Sequence, residues 1–378
     1  MLASATRIPG RRIAHLIETD GPGGAERMLA LLANELQCAG YPGVAFAPVR
    51  LEGWLEAELA GFGVPIEYIR LDRPFSPRFA GDLAAAFRRH NVALAHSHEF
   101  TMAFYGAWAA RLARVPHVFT MHGSRYYAGR WRRRLALRWA ARSSVAVTAV
   151  SRALAGSLQR DLWLRRGTVT VVPNGIRPGL PGTTGEGVRA ELGLRPTDRL
   201  LVAVGNLYPV KGHGDLVAAV AQLTPRVPSL HLAIAGRGEL AEALSHAARA
   251  RSIGDRVHLL GLRNDVADLL ASADAFVLPS RSEGLPLALL EAMFAGVPIV
   301  ATRVGEVPSA LAGGAGLLVE PGRPDELAQA IERLLSDAEL GRSLGTRARA
   351  RAVAEFDVAT MAARYESLYA PALNGSRH

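Results

Sequence analysis

Thirteen short runs of strand-forming residues, separated by stretches of helical period, restrict this chain to a parallel α/β architecture. Seven fall in the first half: Arg12–Ile17, Gly43–Pro48, Ile66–Ile69, Ala93–His96, His117–Met121, Val145–Val150 and Val169–Val172. Helical segments such as Ala25–Gln37, Pro77–His90 and Phe100–Arg114 lie between them. Six more runs follow at Leu200–Val204, His231–Ala235, Val257–Leu260, Ala275–Leu278, Ile299–Ala301 and Gly316–Val319. Strands joined through helices must cross over, so they lie parallel and are buried on both faces. Between the two sets, Pro178–Gly187 holds four Gly and two Pro in ten residues and reads as a linker. A chain of 378 residues exceeds one ordinary core. We therefore expect two doubly wound domains, residues 1–177 and 178–357, with a cleft between them where ligands meet the carboxyl ends of the strands. The last segments, Pro324–Leu335, Asp337–Ala352 and Val358–Tyr369, read as helices.

Of 44 basic residues, 43 are Arg and one is Lys, Lys211. It follows the strand ending at Gly205 and precedes Gly212, the setting of an anion-binding loop. Arg is a planar fork, whereas Lys is a point charge on a thin stem that can pass between backbone atoms to reach a phosphate. A second loop, Glu18–Arg27, leaves the first strand with three Gly and enters a helix, so its backbone can approach a ligand. It lacks the spacing of a dinucleotide fingerprint. A third segment, Ser280–Ala292, follows a strand and carries Glu283 in a loop and Glu291 eight positions later on a helix. Pro286 suits the helix start, the amides of Gly284 and Leu285 can face a phosphate, and Glu291 can hold hydroxyls. His96, His98 and His122 sit at strand ends where a cleft-facing group belongs.

Charge is uneven. Residues 1–177 carry 24 Arg against 12 acidic residues, a net +12, and the remainder is net −2. The densest patch, Arg125–Arg142, has seven Arg and no acid, with Arg130, Trp131 and Arg134 among its members. On a helix Trp131, Leu135 and Trp139 form one stripe flanked by Arg. Such a helix can lie in a lipid headgroup layer, pack its aromatics inward, or meet nucleic acid. One cysteine, Cys38, excludes a disulfide framework. No secretory leader is read in Met1–Arg12, and no run approaches the ~20 apolar residues that span a bilayer. The expected location is the cytoplasm, with peripheral attachment to the inner face of the plasma membrane as the extension that the Arg/Trp helix suggests.

Taken in order, Gly23-Gly-Ala-Glu26, Thr120-Met-His-Gly123, Ser151, Pro173-Asn-Gly-Ile176, Lys211-Gly212 and the Glu283/Glu291 pair resemble the family 4 glycosyltransferases. The resemblance covers nearly the whole chain. It implies a GT-B fold, two Rossmann-like domains, and a retaining enzyme using a nucleotide-sugar donor, most commonly UDP-linked. It further implies Gly23 and Gly24 beside the donor, His122 at the transferred sugar, and Lys211 at the diphosphate. Glu283 would bind near sugar and phosphate, and Glu291 would hold the ribose. The final helix, within residues 358–378, would return to the first domain.

The family commonly has Arg where this chain has Asn206, so one phosphate cation is missing, and Arg237 or Arg281 on nearby loops are the candidate replacements. No Asp-x-Asp occurs, so neither metal nor other cofactor is expected. The expected partners are a nucleotide sugar, a glycan or lipid-linked acceptor meeting His98, Arg130, Trp131 and Arg134, and an anionic membrane surface, without nucleic acid. Two other readings stay open: a GT-B fold nucleotide-sugar epimerase, and a basic nucleic-acid-binding protein.

Overall fold

A computed structural model describes residues 10–21, 23–48, 53–123, 127, 129–177, 179 and 186–375. Arg125, Tyr126 and most of the Pro178–Gly187 linker lie outside the described residues, as do Pro22 and residues 1–9. The chain divides into two compact units, Met1–Ile176 with Val358–His378, and Arg177–Asp357.

Unit 1 alternates β1 (Arg12–Leu16), α1 (Gly24–Cys38), β2 (Gly43–Ala47), α2 (Trp54–Gly61), β3 (Ile66–Tyr68), α3 (Pro77–Arg89) and β4 (Val92–His98). It continues through α4 (Glu99–Ala113), β5 (His117–Met121), α5 (Trp131–Ser143), β6 (Ala146–Ala149), α6 (Arg152–Asp161) and β7 (Val169–Val171). All pairings are parallel in the order β3-β2-β1-β4-β5-β6-β7. The order reverses between β1 and β4, so the loops leaving those two strands diverge and open a ligand crevice at their carboxyl ends. Strands β2 and β5 are buried at every position, as a sheet covered on both faces requires.

Unit 2 runs α7 (Glu186–Glu191), β8 (Arg199–Val204), α8 (His213–Leu223), β9 (Leu230–Ala235), α9 (Ala241–Ala250), β10 (Val257–Gly261), α10 (Val266–Ala271) and β11 (Ala275–Leu278). It closes with α11 (Leu287–Ala295), β12 (Ile299–Thr302), α12 (Val307–Ala310), β13 (Leu317–Val319), α13 (Pro324–Ser336) and α14 (Ala338–Glu355). The strand order β10-β9-β8-β11-β12-β13 reverses in the same way, between β8 and β11. All thirteen strand runs read from sequence are strands here, with bounds shifted by two residues at most. Helix starts follow their caps: the Ser76 hydroxyl accepts from the Phe79 amide at 3.2 Å with Pro77 next in line. The Asp337 carboxylate accepts from the Leu340 amide at 2.9 Å.

The last helix, α15 (Val358–Gly375), belongs to unit 1. The Val358 amide donates to the Ile176 carbonyl at 3.1 Å, and Met361, Tyr365, Tyr369 and Leu373 are buried. Beneath it the sheet presents polar groups rather than an apolar face. Tyr369 Oη lies 2.7 Å from His96 Nδ1, His96 Nε2 lies 2.7 Å from Thr120 Oγ1, and Thr120 Oγ1 lies 2.9 Å from Tyr365 Oη. The β4–β5 register sets His98 beside Thr120, which is why residues 96, 98 and 120 share one face. His96, which sequence reading placed among the candidate site residues, therefore anchors α15.

Candidate functional site

In unit 2 the candidate residues gather at the carboxyl ends of β8, β9 and β11. After β8 the chain passes Asn206, makes one tight turn at Pro209–Lys211, and enters α8 through Gly212. Gly212 has φ +68°, and a Cβ there would overlap the Pro279 carbonyl oxygen, so only glycine allows this approach to the β11 exit. The Arg281 amide donates to the Val210 carbonyl at 2.8 Å and locks the two loops together. Lys211 Nζ consequently reaches Glu283 Oε1 at 2.7 Å, and the Ser280 hydroxyl donates to the same oxygen at 2.6 Å. The Glu283 side chain is 8% exposed and that of Lys211 26%, so the ammonium keeps a solvent-facing side. Thr302 Oγ1 donates to the Ser280 carbonyl at 2.5 Å, and the Glu306 amide donates to the Gly284 carbonyl at 3.0 Å, fixing the loop from its other flank. Gly284 is exposed, Leu285 is buried, and α11 starts at Leu287 with Pro286 as its cap. Glu291 is half-buried on that helix.

Asn206 and Arg237 are both exposed on adjoining loops, joined where the Leu207 amide donates to the Arg237 carbonyl at 2.9 Å. Arg281 is committed elsewhere, with its guanidinium 2.9 Å from the Asp215 carboxylate. Of the two candidate replacements for the missing cation, Arg237 is the one beside Asn206.

In unit 1 a second group forms where β1, β4 and β5 end. Gly23 caps α1 and Gly24 begins it. The Thr19 hydroxyl donates to the Glu26 carboxylate, and a Cβ on Gly23 would overlap that carboxylate, so the glycine admits it. An acid in the first turn suits the helix dipole and makes this end of α1 better matched to hydroxyls than to phosphate. His98 is buried, its Nδ1 lies 3.0 Å from His122 Nε2, and the two rings stack. Burial holds both imidazoles neutral: His122 is lowered to about 4, and His98 well below the usual value, by desolvation first. Glu99, next to His98, accepts from the His122 amide at 3.2 Å. Burial, followed by the charges of Glu26 and Glu18, raises its carboxyl to about 7, against the hydrogen bond from His122. Its φ is +66°, a conformation that costs a non-glycine residue about 1–2 kcal/mol. The other four non-glycine residues of positive φ among those described, Asn91, Arg114, Trp163 and Ser252, all lie at or just beyond helix C-termini, where that conformation is a common cap. Glu99 alone opens a helix. Sequence reading passed over it because backbone handedness leaves no mark in composition or period.

His15, His96 and His98 lie close enough for their ring nitrogens to surround an ion. Both nitrogens of His96 are already engaged, and no acidic side chain belongs to the cluster to balance a buried cation, so the set fits a metal poorly.

The basic helix is α5, with Arg130 as its cap. Trp131, Leu135 and Trp139 are 64%, 48% and 38% exposed, so the stripe faces outward. Arg134 turns back into the unit: Nε donates to the Asp161 carbonyl at 2.7 Å, and the guanidinium sits 4.6 Å from the Trp163 ring centroid. It caps the C-terminus of α6, a placement the helix dipole favours.

The family model described as Glycosyltransferase Family 4 matches residues 22–180, and that described as Glycosyl transferases group 1 matches residues 186–351. The chain is 30% identical to the alpha-maltose-1-phosphate synthase of Mycolicibacterium smegmatis over 77% of its own length and 82% of the relative's. It is 33% identical to an N-acetyl-alpha-D-glucosaminyl L-malate synthase of Bacillus anthracis, and that match spans half of each chain. It is 26% identical to the UDP-Gal:alpha-D-GlcNAc-diphosphoundecaprenol alpha-1,3-galactosyltransferase of Escherichia coli, over 75% of this chain and 76% of that one. Among solved structures, Anabaena HepE in complex with UDP superposes with a TM-score of 0.84 at 22% identity, covering 95% of this chain and all of that one. The same protein in complex with UDP-glucose gives 0.78 at 24%, covering 94% and 99%. Two doubly wound units, matched in turn by the two family models, make this chain a member of the family 4 glycosyltransferases, an enzyme of GT-B fold.

Proposed function

We propose that the enzyme transfers a sugar, with retention at the anomeric carbon, from a UDP-linked donor to a hydroxyl of a lipid-linked or cell-surface glycan. The observation that carries this reading is the chain's single lysine, held by Glu283 and Ser280 where β8 and β11 end. Breaking the bond between sugar and diphosphate puts charge on the leaving oxygen, and a preorganised cation stabilises it as it forms. Lys211 supplies that cation, with Arg237 and the amides of Gly284 and Leu285 as further donors, and Glu291 holds the ribose hydroxyls. His122, neutral, offers a hydrogen bond to the sugar, and Gly23 and Gly24 admit it closely. The acceptor oxygen attacks from the face the diphosphate leaves, and that phosphate takes the proton. Fixed cations make a metal unnecessary. The nucleotide follows HepE, which is seen with UDP and UDP-glucose, and the acceptor class follows the diphosphoundecaprenol-linked substrate in the Escherichia coli relative's name.

Thermal shift against UDP, GDP, ADP and their glucose conjugates, with and without EDTA, tests this. UDP-glucose is expected to raise the midpoint of the wild type regardless of EDTA, since a ligand bound only by the native state stabilises it, and to leave Lys211→Ala nearly unmoved. Stabilisation abolished by EDTA would overturn the metal-free mechanism, and no shift with any nucleotide would overturn the donor site.

The outward stripe on α5 supports peripheral membrane attachment. It adjoins Phe104, whose ring centroid is 5.6 Å from that of Trp139 and 5.9 Å from that of Trp108, and exposed Phe75 lies 5.6 Å from Trp108. Arg flanks and exposed indoles suit an anionic headgroup layer. Co-sedimentation with phosphatidylglycerol/phosphatidylcholine vesicles should exceed that with phosphatidylcholine alone, fall with salt, and be lost in Trp131→Ala/Trp139→Ala. Equal binding by the double variant refutes it. No described helix is long and apolar enough to cross a membrane.

A further inference from the structure

We propose that Glu99 is a positioning residue for sugar transfer: its left-handed backbone and its hydrogen bond to the His122 amide hold the His98–His122 pair where β4 and β5 end. The inference rests on the transferase reading above and deepens it.

Three features meet at this residue. The first is the conformation. A left-handed residue at the first position of a helix is imposed on the chain, since any helix former could start α4 in the ordinary region. Strain of this kind persists where surrounding structure over-determines it, and it clusters at functional sites. The second is the bond itself. Glu99 stands at the exit of β4, and the amide it accepts from belongs to the exit of β5, so one side chain ties together the two strand ends that carry His98 and His122. The Nδ1–Nε2 contact between those imidazoles depends on that spacing, because the buried His98 ring has few rotamers open to it and the half-buried His122 ring stacks on it. The third is the charge around it. Glu18 lies on the segment after β1, Glu26 on α1, and Tyr127 beyond β5. From α5, Arg133 stacks over the adjacent Phe100. His98 and His122 complete the surroundings and stay neutral.

With its carboxyl raised to about 7, Glu99 ionises through the neutral range. A carboxylate accepts the His122 amide proton more strongly than the neutral acid does, so the tie tightens as pH rises through 7 and slackens below it. Gln in place of Glu keeps an acceptor oxygen and removes the titration. Gly removes the tie and relieves the strained φ together. A residue that merely stabilised the fold would weaken it on replacement by Gly; here the fold should hold while turnover falls.

The test has two readouts on wild type, Glu99→Gln and Glu99→Gly. The first is the protection factor of the His122 amide from pH 5.5 to 8.5, by hydrogen exchange. Wild type should gain protection through pH 7, Glu99→Gln should show no such step, and Glu99→Gly should lose about tenfold or more. The second is UDP release from UDP-glucose. Turnover should fall about tenfold or more in Glu99→Gly with KM little changed, and the acid limb near pH 7 should vanish in Glu99→Gln. Wild-type protection of His122 in Glu99→Gly, or an unaltered acid limb in Glu99→Gln, overturns the proposal. If wild type releases no UDP, the failure lies with the UDP-glucose reading, and the exchange data alone decide whether Glu99 holds His122.

Discussion

Lys211→Ala is expected to lower donor turnover about 10²–10³-fold, the usual consequence of deleting one preorganised charge from a transition-state site. The site explains why the loss should be large. Of the two arginines on the β9 and β11 loops, Arg281 is paired with Asp215, and Arg237 is the one beside Asn206. Lys211→Arg should recover only part of the activity, because a planar fork cannot reproduce the compact ammonium held 2.7 Å from Glu283 Oε1. The substitution also strips Glu283 of its ion-pair partner, leaving a side chain 8% exposed that still accepts from the Ser280 hydroxyl. A stability loss of about 1–3 kcal/mol follows, smaller than for a fully buried pair because the Lys211 ammonium is partly solvated. The two effects separate in Lys211→Ala/Glu283→Gln, which neutralises the orphaned acid. Chemical denaturation should show stability regained, and UDP release should stay low. If the double variant regained turnover as well, Lys211 would be a partner of Glu283 and nothing more.

Acid should unfold unit 1 steeply below about pH 6.5. Five imidazoles in that unit are held neutral, four of them buried and His122 half-buried: His15 and His122 are lowered to about 4, His117 to about 3, and His96 and His98 well below the usual value, with desolvation the leading cause in each. In the unfolded chain each takes up a proton near 6.5. The unfolded state therefore binds more protons below that pH, and stability, full above it, is lost as pH falls toward the folded values. Each group contributes about 1.4 kcal/mol per pH unit in that window. Glu99 acts oppositely, since a carboxyl held near 7 in the fold binds its proton before the unfolded chain does, and it offsets one of the five between about 7 and 4.5. All five tryptophans, at 54, 108, 131, 139 and 163, lie in unit 1, so indole fluorescence reports that unit alone. His15 offers the sharpest variant, because neither of its ring nitrogens has a hydrogen-bond partner among the described residues. His15→Leu removes an unsatisfied polar group of similar size, so it should stabilise the unit at pH 7 and more so, by about 2 kcal/mol, at pH 5. An acid transition that keeps its wild-type midpoint and slope in His15→Leu would refute this account.

What the sequence determined by itself was the alternation and its punctuation. Strand and helix periods, with Gly and Pro at the turns, act within a few residues, so all thirteen strands and the two-unit fold were legible. Lys211 and Glu283 were legible for a chemical reason, since a lone lysine among 43 arginines and an acid between a strand and a helix are unusual as residues wherever they sit. Tertiary structure decided what depended on partners far along the chain. The lysine and glutamate are 72 positions apart and meet only because β8 and β11 are neighbours. Arg134, read as facing an acceptor or a membrane, caps α6 instead, because a guanidinium close to free carbonyls at a helix end goes to them. Arg281 is held by an aspartate 66 positions away. His96 anchors a helix 273 positions later, and Glu99 is marked by a backbone angle. In each case residue type set what the side chain could do, and strand order and register, which no local pattern encodes, chose which of those things it does.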